Sequence, residues 1–151
     1  MEWLNALRGT TVGLDTAPLI YFIEKHPKYL PLLLPFFEAA DRGDIQIVTS
    51  TLTLTEVLVH PYREGNQSLA ERYLHELLHA RNLRMVSLSP SIAAEAARIR
   101  AAYRTKTPDA IQLATAKEGG ASSLLTNDGE LASIPGLRLV VLERVRQGLD
   151  V

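Results

Sequence analysis

TVGLDTAP, Thr11 to Pro18, is the stretch that decides the fold. A short apolar run, Val12, Gly13 and Leu14, delivers the chain to Asp15, and Thr16 and Pro18 start a helix at once. In an open sheet covered by helices, ligands bind beyond the carboxyl ends of the strands, so an acid at such a junction faces solvent and substrate. The same placement, an acid where a strand hands over to a helix or at the start of the next helix, recurs at Glu56, Asp109 and Asp128.

Outward from that stretch, strands and helices alternate. Before it, Glu2 to Leu7 reads as a short amphipathic helix that lids the core, stopped by Gly9. After it, helical spacing runs over Ala17 to Glu24 and Tyr29 to Arg42, and Gly43 ends the second helix. Ile45, Ile47 and Val48 form a strand running into Thr49, Ser50 and Thr51, followed by a helix from Thr53 to His60 that Pro61 should end. Ser68 to Arg81 is the next helix, with Ala70, Leu74, Leu77 and Leu78 as its expected buried stripe. Leu83 to Val86 is a strand, Ser89 and Pro90 open a helix through Tyr103, and Thr107 and Pro108 open another over Asp109 to Lys117. Ser123 to Thr126 is a strand, Asp128 to Ala132 a helical turn, and Leu137 to Leu142 a final strand. Such alternation implies a parallel sheet covered on both faces.

The 151 residues suffice for one domain, 1–151, that buries roughly 70% of its unfolded surface. With 46% hydrophobic and 22% charged residues, disorder is excluded as the main state. The absence of cysteine removes disulfides and thiolate metal sites and fits a reducing compartment. A net charge of -1 gives no global basic field, so any phosphate binding must be local. The longest apolar run, around Tyr29 to Phe37, contains Pro31 and Pro35 and falls far short of the roughly 20 residues that span a bilayer. The N-terminus lacks a charged segment followed by an apolar one, so a cytoplasmic location is expected.

Each acid has a plain structural explanation. Asp15 and Asp128 can cap the turns that follow them, Glu56 completes a capping box with Thr53, and Asp109 sits in a first turn favoured by the helix dipole. Against this, Thr16, Thr53 and Thr107 already offer capping hydroxyls, which makes the acids surplus. Gathered at one edge of the sheet, four carboxylates would repel one another unless a cation intervened. Carboxylate oxygens without His or Cys favour Mg²⁺ or Mn²⁺ over Zn²⁺. Ions held this way can lower the pKa of a water and stabilise the leaving oxygen of a phosphodiester. Ser50, Thr126 and Asn127 are placed to orient a carboxylate, a water or a phosphate oxygen, although ordinary turn chemistry explains them equally well.

LDTAPLIY around Asp15, TSTLTLTEVL near Glu56, TPDAIQLATA around Asp109 and LLTNDGEL around Asp128 together resemble the PIN domain family, particularly its VapC-type toxins. The ordered set spans Val12 to Val141. The resemblance implies a three-layer α/β/α sandwich around a central parallel sheet and a Mg²⁺- or Mn²⁺-dependent endoribonuclease acting on RNA. It also implies frequent homodimerisation and inhibition by a partner antitoxin. It carries metal-centred roles onto Asp15, Glu56, Asp109 and Asp128, with Ser50 and Thr126 as polar accompaniment. The extension through Thr10 departs from the family pattern, since many such toxins begin almost directly with the first strand. The alternative is a noncatalytic module of the same fold that binds a protein or RNA.

Two further signals have plainer explanations. His75 to His79 spells HExxH, the zinc-protease pattern, yet both His sit on the polar flank of their helix with no third ligand at a familiar spacing. Arg98, Arg100, Arg104 and Lys106 form a basic segment running toward Asp109, of which Arg104 and Lys106 are the candidates to hold an RNA backbone. A solvated helix end explains that segment equally well.

Overall fold

The computed structural model describes residues 1–149. Its strands are β1 (Thr11–Leu14), β2 (Gln46–Ser50), β3 (Leu83–Val86), β4 (Ser123–Thr126) and β5 (Arg138–Val141). Its helices are α1 (Glu2–Asn5), α2 (Thr16–Ile23), α3 (Leu30–Asp41), α4 (Thr51–Glu64), α5 (Gln67–His79), α6 (Pro90–Tyr103), α7 (Thr107–Glu118) and α8 (Leu142–Arg146). All strand pairs are parallel, in the order β3-β2-β1-β4-β5.

Successive strand residues point to opposite faces, and the chain uses both. Val12, Leu14, Ile47, Leu125 and Val140 join one core with Trp3, Leu19, Phe36, Val57 and Tyr73, while Val48 and Leu124 join a second with Ile92, Ile99 and Leu113. The result is a three-layer α/β/α sandwich, with α6 and α7 on one face and the other helices on the opposite one. Trp3, Leu4 and Leu7 are buried in the first core, and Trp3 stacks on Phe36 with ring centroids 6.3 Å apart. The segment before β1 thus closes that core as expected.

Gly13 explains how closely α7 approaches the sheet. A Cβ built there would lie 2.7 Å from the Ala116 Cβ and 2.9 Å from the Leu124 Cδ1. The leucine methyl could swing away, but the alanine is fixed to its helix. Gly13→Ala should therefore push α7 off β1 at a cost of about 1–3 kcal/mol, read as a lower urea midpoint at an unchanged m-value.

Several elements differ from the sequence reading, each for a local reason. α4 continues through Pro61, whose ring is buried, and ends at Gly65 with φ 67°, because loss of one late N–H bond does not stop a helix that packs through Val57, Leu58 and Pro61. On α5 the buried residues are Ala70, Tyr73 and Leu77, whereas Leu78 is 54% exposed. Tyr73 replaces it inside because its hydroxyl donates to the Glu24 carboxylate. Burial and that carboxylate hold the phenol well above its ordinary pKa.

The β4–β5 connection holds a turn at Gly129 and Glu130 where a helical turn was expected. Leu131, Ile134 and Leu137 bury into the second core and cover the sheet there without a helix. Leu142 does not extend β5; it starts α8 and buries in the first core.

Candidate functional site

The chain leaves β1 for β2 and β3 on one side, then crosses to β4 and β5 on the other. Beyond the carboxyl ends of β1 and β4 the following segments diverge, which opens the crevice where parallel α/β sheets bind ligands. Asp15 follows β1, and Asn127 and Asp128 follow β4.

The two strand ends are tied together across that crevice. Asp15 Oδ1 accepts from the Thr16 backbone N–H at 2.8 Å, and Asp15 Oδ2 accepts from the Thr126 hydroxyl at 2.8 Å. The fully buried Thr126 oxygen accepts in turn from the Asp128 N–H at 3.1 Å. Asp128 Oδ1 takes the Glu130 N–H at 2.9 Å, so its plain capping role is also real. Thr126→Val keeps the shape and leaves the Asp128 N–H without its partner. About 1–3 kcal/mol of stability should go, seen as a lower melting temperature that Thr126→Ser restores.

Asp109 enters from the first turn of α7. Its carboxyl is raised above its ordinary pKa, first by burial, then by the charges of Asp15 and Asp128, with Glu56 adding to them and Lys106 opposing. The four acids thus share one field. Glu56 is held on α4, where its Oε1 accepts from the Thr16 hydroxyl at 2.6 Å.

Asp15 and Asp128 are not surplus to capping as the sequence suggests, whereas Glu56 and Asp109 cap no helix. Asp15 itself caps α2, Ser50 rather than Thr53 caps α4 through the Leu52 N–H at 3.0 Å, and Thr107 lies within α7 with its oxygen accepting from Arg100 at 2.7 Å. The three threonines serve other bonds, because a strand running straight into a helix puts the cap on the junction residue itself.

Other expected residues divide. Ser50 is fully buried and occupied by its cap. Asn127 accepts from the Glu143 N–H at 2.9 Å and donates to the Tyr21 hydroxyl at 3.3 Å, so it ties the end of β4 to α8 and α2. Arg104 and Lys106, with Tyr103, Asp109, Asp128 and Glu130, line a cavity of about 320 Å³. Arg98 instead pairs with Glu95 at 2.9 Å. His75 and His79 are exposed on α5.

Among the described residues, no three His, Asp or Glu side chains are grouped tightly enough to enclose an ion, and none of the four acids forms an ion pair. The donor chemistry nevertheless fits a hard divalent cation. It consists of carboxylate oxygens alone, its charge is uncompensated at contact distance, and Mg²⁺ keeps several waters while taking only one or two carboxylates. Sequence reasoning missed Thr16 and Gln112 as parts of this region. The available signal was a glutamine within α7, among Ala110, Leu113, Ala114 and Ala116, all of them buried.

A family model for the PIN domain matches residues 12–137. No curated protein matches the chain. Solved structures do. A toxin-antitoxin complex from Klebsiella pneumoniae aligns at 26% identity and TM-score 0.65, covering 83% of this chain and 94% of that one. VapBC2 from Rickettsia felis, bound to a promoter DNA fragment, aligns at 20% identity and TM-score 0.67, covering 87% and 98%. DNA-bound VapBC from Salmonella typhimurium aligns at 21% identity and TM-score 0.62, covering 88% and 98%.

Proposed function

The chain belongs to the PIN domain family, and on that premise we propose that it is a Mg²⁺- or Mn²⁺-dependent endoribonuclease, the toxin of a toxin-antitoxin pair. The observation that carries the proposal is the meeting of three acids beyond the ends of β1 and β4: the Thr126 hydroxyl joins the Asp15 carboxylate to the Asp128 N–H, and Asp109 lines one cavity with Asp128. The direction of the Asp109 pKa, raised by burial and then by Asp15 and Asp128, agrees with it. Like charges kept together without a contacting cation from the chain itself are a site prepared for one from solution.

Asp15, Asp109 and Asp128 would hold the ion, with Glu56 at the margin of the same field. A divalent ion so held supplies charge that activates water and neutralises the leaving oxygen of a phosphodiester. Thr126 fixes Asp15 and the Asp128 backbone relative to each other through its one hydroxyl. Arg104 and Lys106 line the cavity beside Asp109 and Asp128, where they would take the phosphates flanking the scissile bond. RNA is the substrate that the VapC-type motifs imply. An antitoxin partner is supported by the complexes in which the aligned structures were solved, and a homodimer is what the VapC-type motifs imply. A cytoplasmic location is part of this reading; no helix among the described residues is long and apolar enough to cross a membrane.

A rival reading, a noncatalytic binding module, draws on the fact that both Asp15 oxygens are already hydrogen-bonded. The two separate on a labelled single-stranded RNA incubated with the purified chain and millimolar Mn²⁺. Cleavage that EDTA stops, with DNA of the same sequence left intact, is the expected result. Uncut RNA favours the module, and cleavage indifferent to EDTA removes the metal from the account.

A further inference from the structure

Gln112 is 4% exposed on α7, at the i+3 position from Asp109. An amide buried this deeply is costly unless its polar atoms are paired. Its Nε2 donates to the Thr53 hydroxyl at 2.9 Å and to the Thr16 hydroxyl at 3.4 Å. Thr16 in turn donates to Glu56 Oε1 at 2.6 Å. On the far side the Thr53 and Thr49 hydroxyls lie 2.9 Å apart, and Thr49 donates to the Leu14 carbonyl at 2.8 Å.

Counting protons gives this chain of bonds a direction. The Leu14 carbonyl can only accept, so it takes the Thr49 proton, and the Thr53 proton then fills the bond to Thr49. Thr53 therefore needs a donor from elsewhere, which is the Gln112 amide. The second amide proton goes to Thr16, whose own proton is left with one acceptor, the Glu56 carboxylate. Turned the other way, with Oε1 toward the threonines, Gln112 would compete for the Thr16 proton and release Glu56.

We propose that Gln112 is a positioning residue that fixes Glu56 through Thr16. The consequence for catalysis rests on the nuclease reading; the geometry does not. Through one helix α7 thereby sets two of the four acids: Asp109 directly from its first turn, and Glu56 by an amide reaching across to α2.

The test uses the full-length chain with Gln112→Glu, which keeps the shape but replaces donors with acceptors, and with Thr16→Val, which cuts the relay without touching the core. In metal-free crystals of Gln112→Glu, Glu56 should leave the Thr16 hydroxyl. In kinetics both variants should lower kcat about tenfold or more with KM for RNA within about twofold. The double variant should be no worse than the weaker single one, and Thr16→Ser should retain the parent rate. A Glu56–Thr16 contact that survives Gln112→Glu, or losses that simply add, overturns the proposal. If Gln112→Glu does not fold, Thr16→Val decides, since an unchanged kcat there removes any role for the relay. A parent chain that cuts no RNA overturns the nuclease reading alone, and the crystal structures then judge the relay.

Discussion

Asp15→Asn and Asp128→Asn should each lower Mn²⁺-dependent RNA cleavage about a thousandfold or more while the protein stays folded. The size follows from what a bound ion contributes, several kcal/mol of charge stabilisation in the transition state, with each ~1.4 kcal/mol worth a factor of ten. Folding should hardly notice. Asp15→Asn keeps an oxygen to accept from the Thr16 N–H, and only the atom bonded to Thr126 changes from acceptor to donor. The Thr126 hydroxyl can rotate, at a cost of about 1 kcal/mol, and the lost repulsion on Asp109 offsets part of it. Single-turnover cleavage together with circular dichroism of each variant checks both halves.

Asp109→Asn should give opposite effects on activity and stability. Cleavage should vanish as it does at Asp15. Without metal, however, the variant should melt higher than the parent at neutral pH, by about 1–3 °C. Burial and the neighbouring acids raise the Asp109 pKa above the ordinary 3.8, so between that value and the raised one the folded protein binds a proton the unfolded chain has released. Stability from this group is complete below 3.8 and is lost as the pH rises through the folded value. Above it, the ionised Asp109 is a cost that asparagine removes. The melting difference should therefore shrink as the pH is lowered and disappear near 3.8. Millimolar Mn²⁺ should reverse the order at neutral pH by stabilising the parent and not the variant. For the same reason cleavage by the parent should fall as acid protonates Asp109.

The sequence showed the junctions clearly and their wiring poorly. Asp15 was legible because a short strand and a proline-started helix leave one residue between them. The sheet was legible from alternation of element types, and its parallel order follows from helices at most connections. Thr53 reads as the cap that Ser50 supplies because helix caps depend on where the strand stops, a matter of one or two residues. Tyr73 escaped notice since a tyrosine on an amphipathic helix reads as flank until its hydroxyl finds the Glu24 carboxylate. α8 was hidden because Leu142 continues the apolar run of β5, and nothing in that run marks where the core it enters changes.

Gln112 was hardest to see. Its function lies in bonds to Thr53 and Thr16, residues 59 and 96 positions away, which no local pattern records. The Thr126 bridge to Asp15, across 111 positions, is of the same kind. Polar contacts between distant strand ends are set by the order of strands in the sheet, and that order was not written in any single motif.

The central claim is that carboxylates from the β1–α2 junction, α7 and the β4–β5 connection bind one divalent ion between them. Anomalous diffraction from crystals soaked in Mn²⁺ addresses it directly. The account requires a peak within ligand distance of at least two among Asp15, Asp109 and Asp128. A fully soaked crystal with no peak there, or with manganese only on surface residues such as His75 and His79, would contradict it.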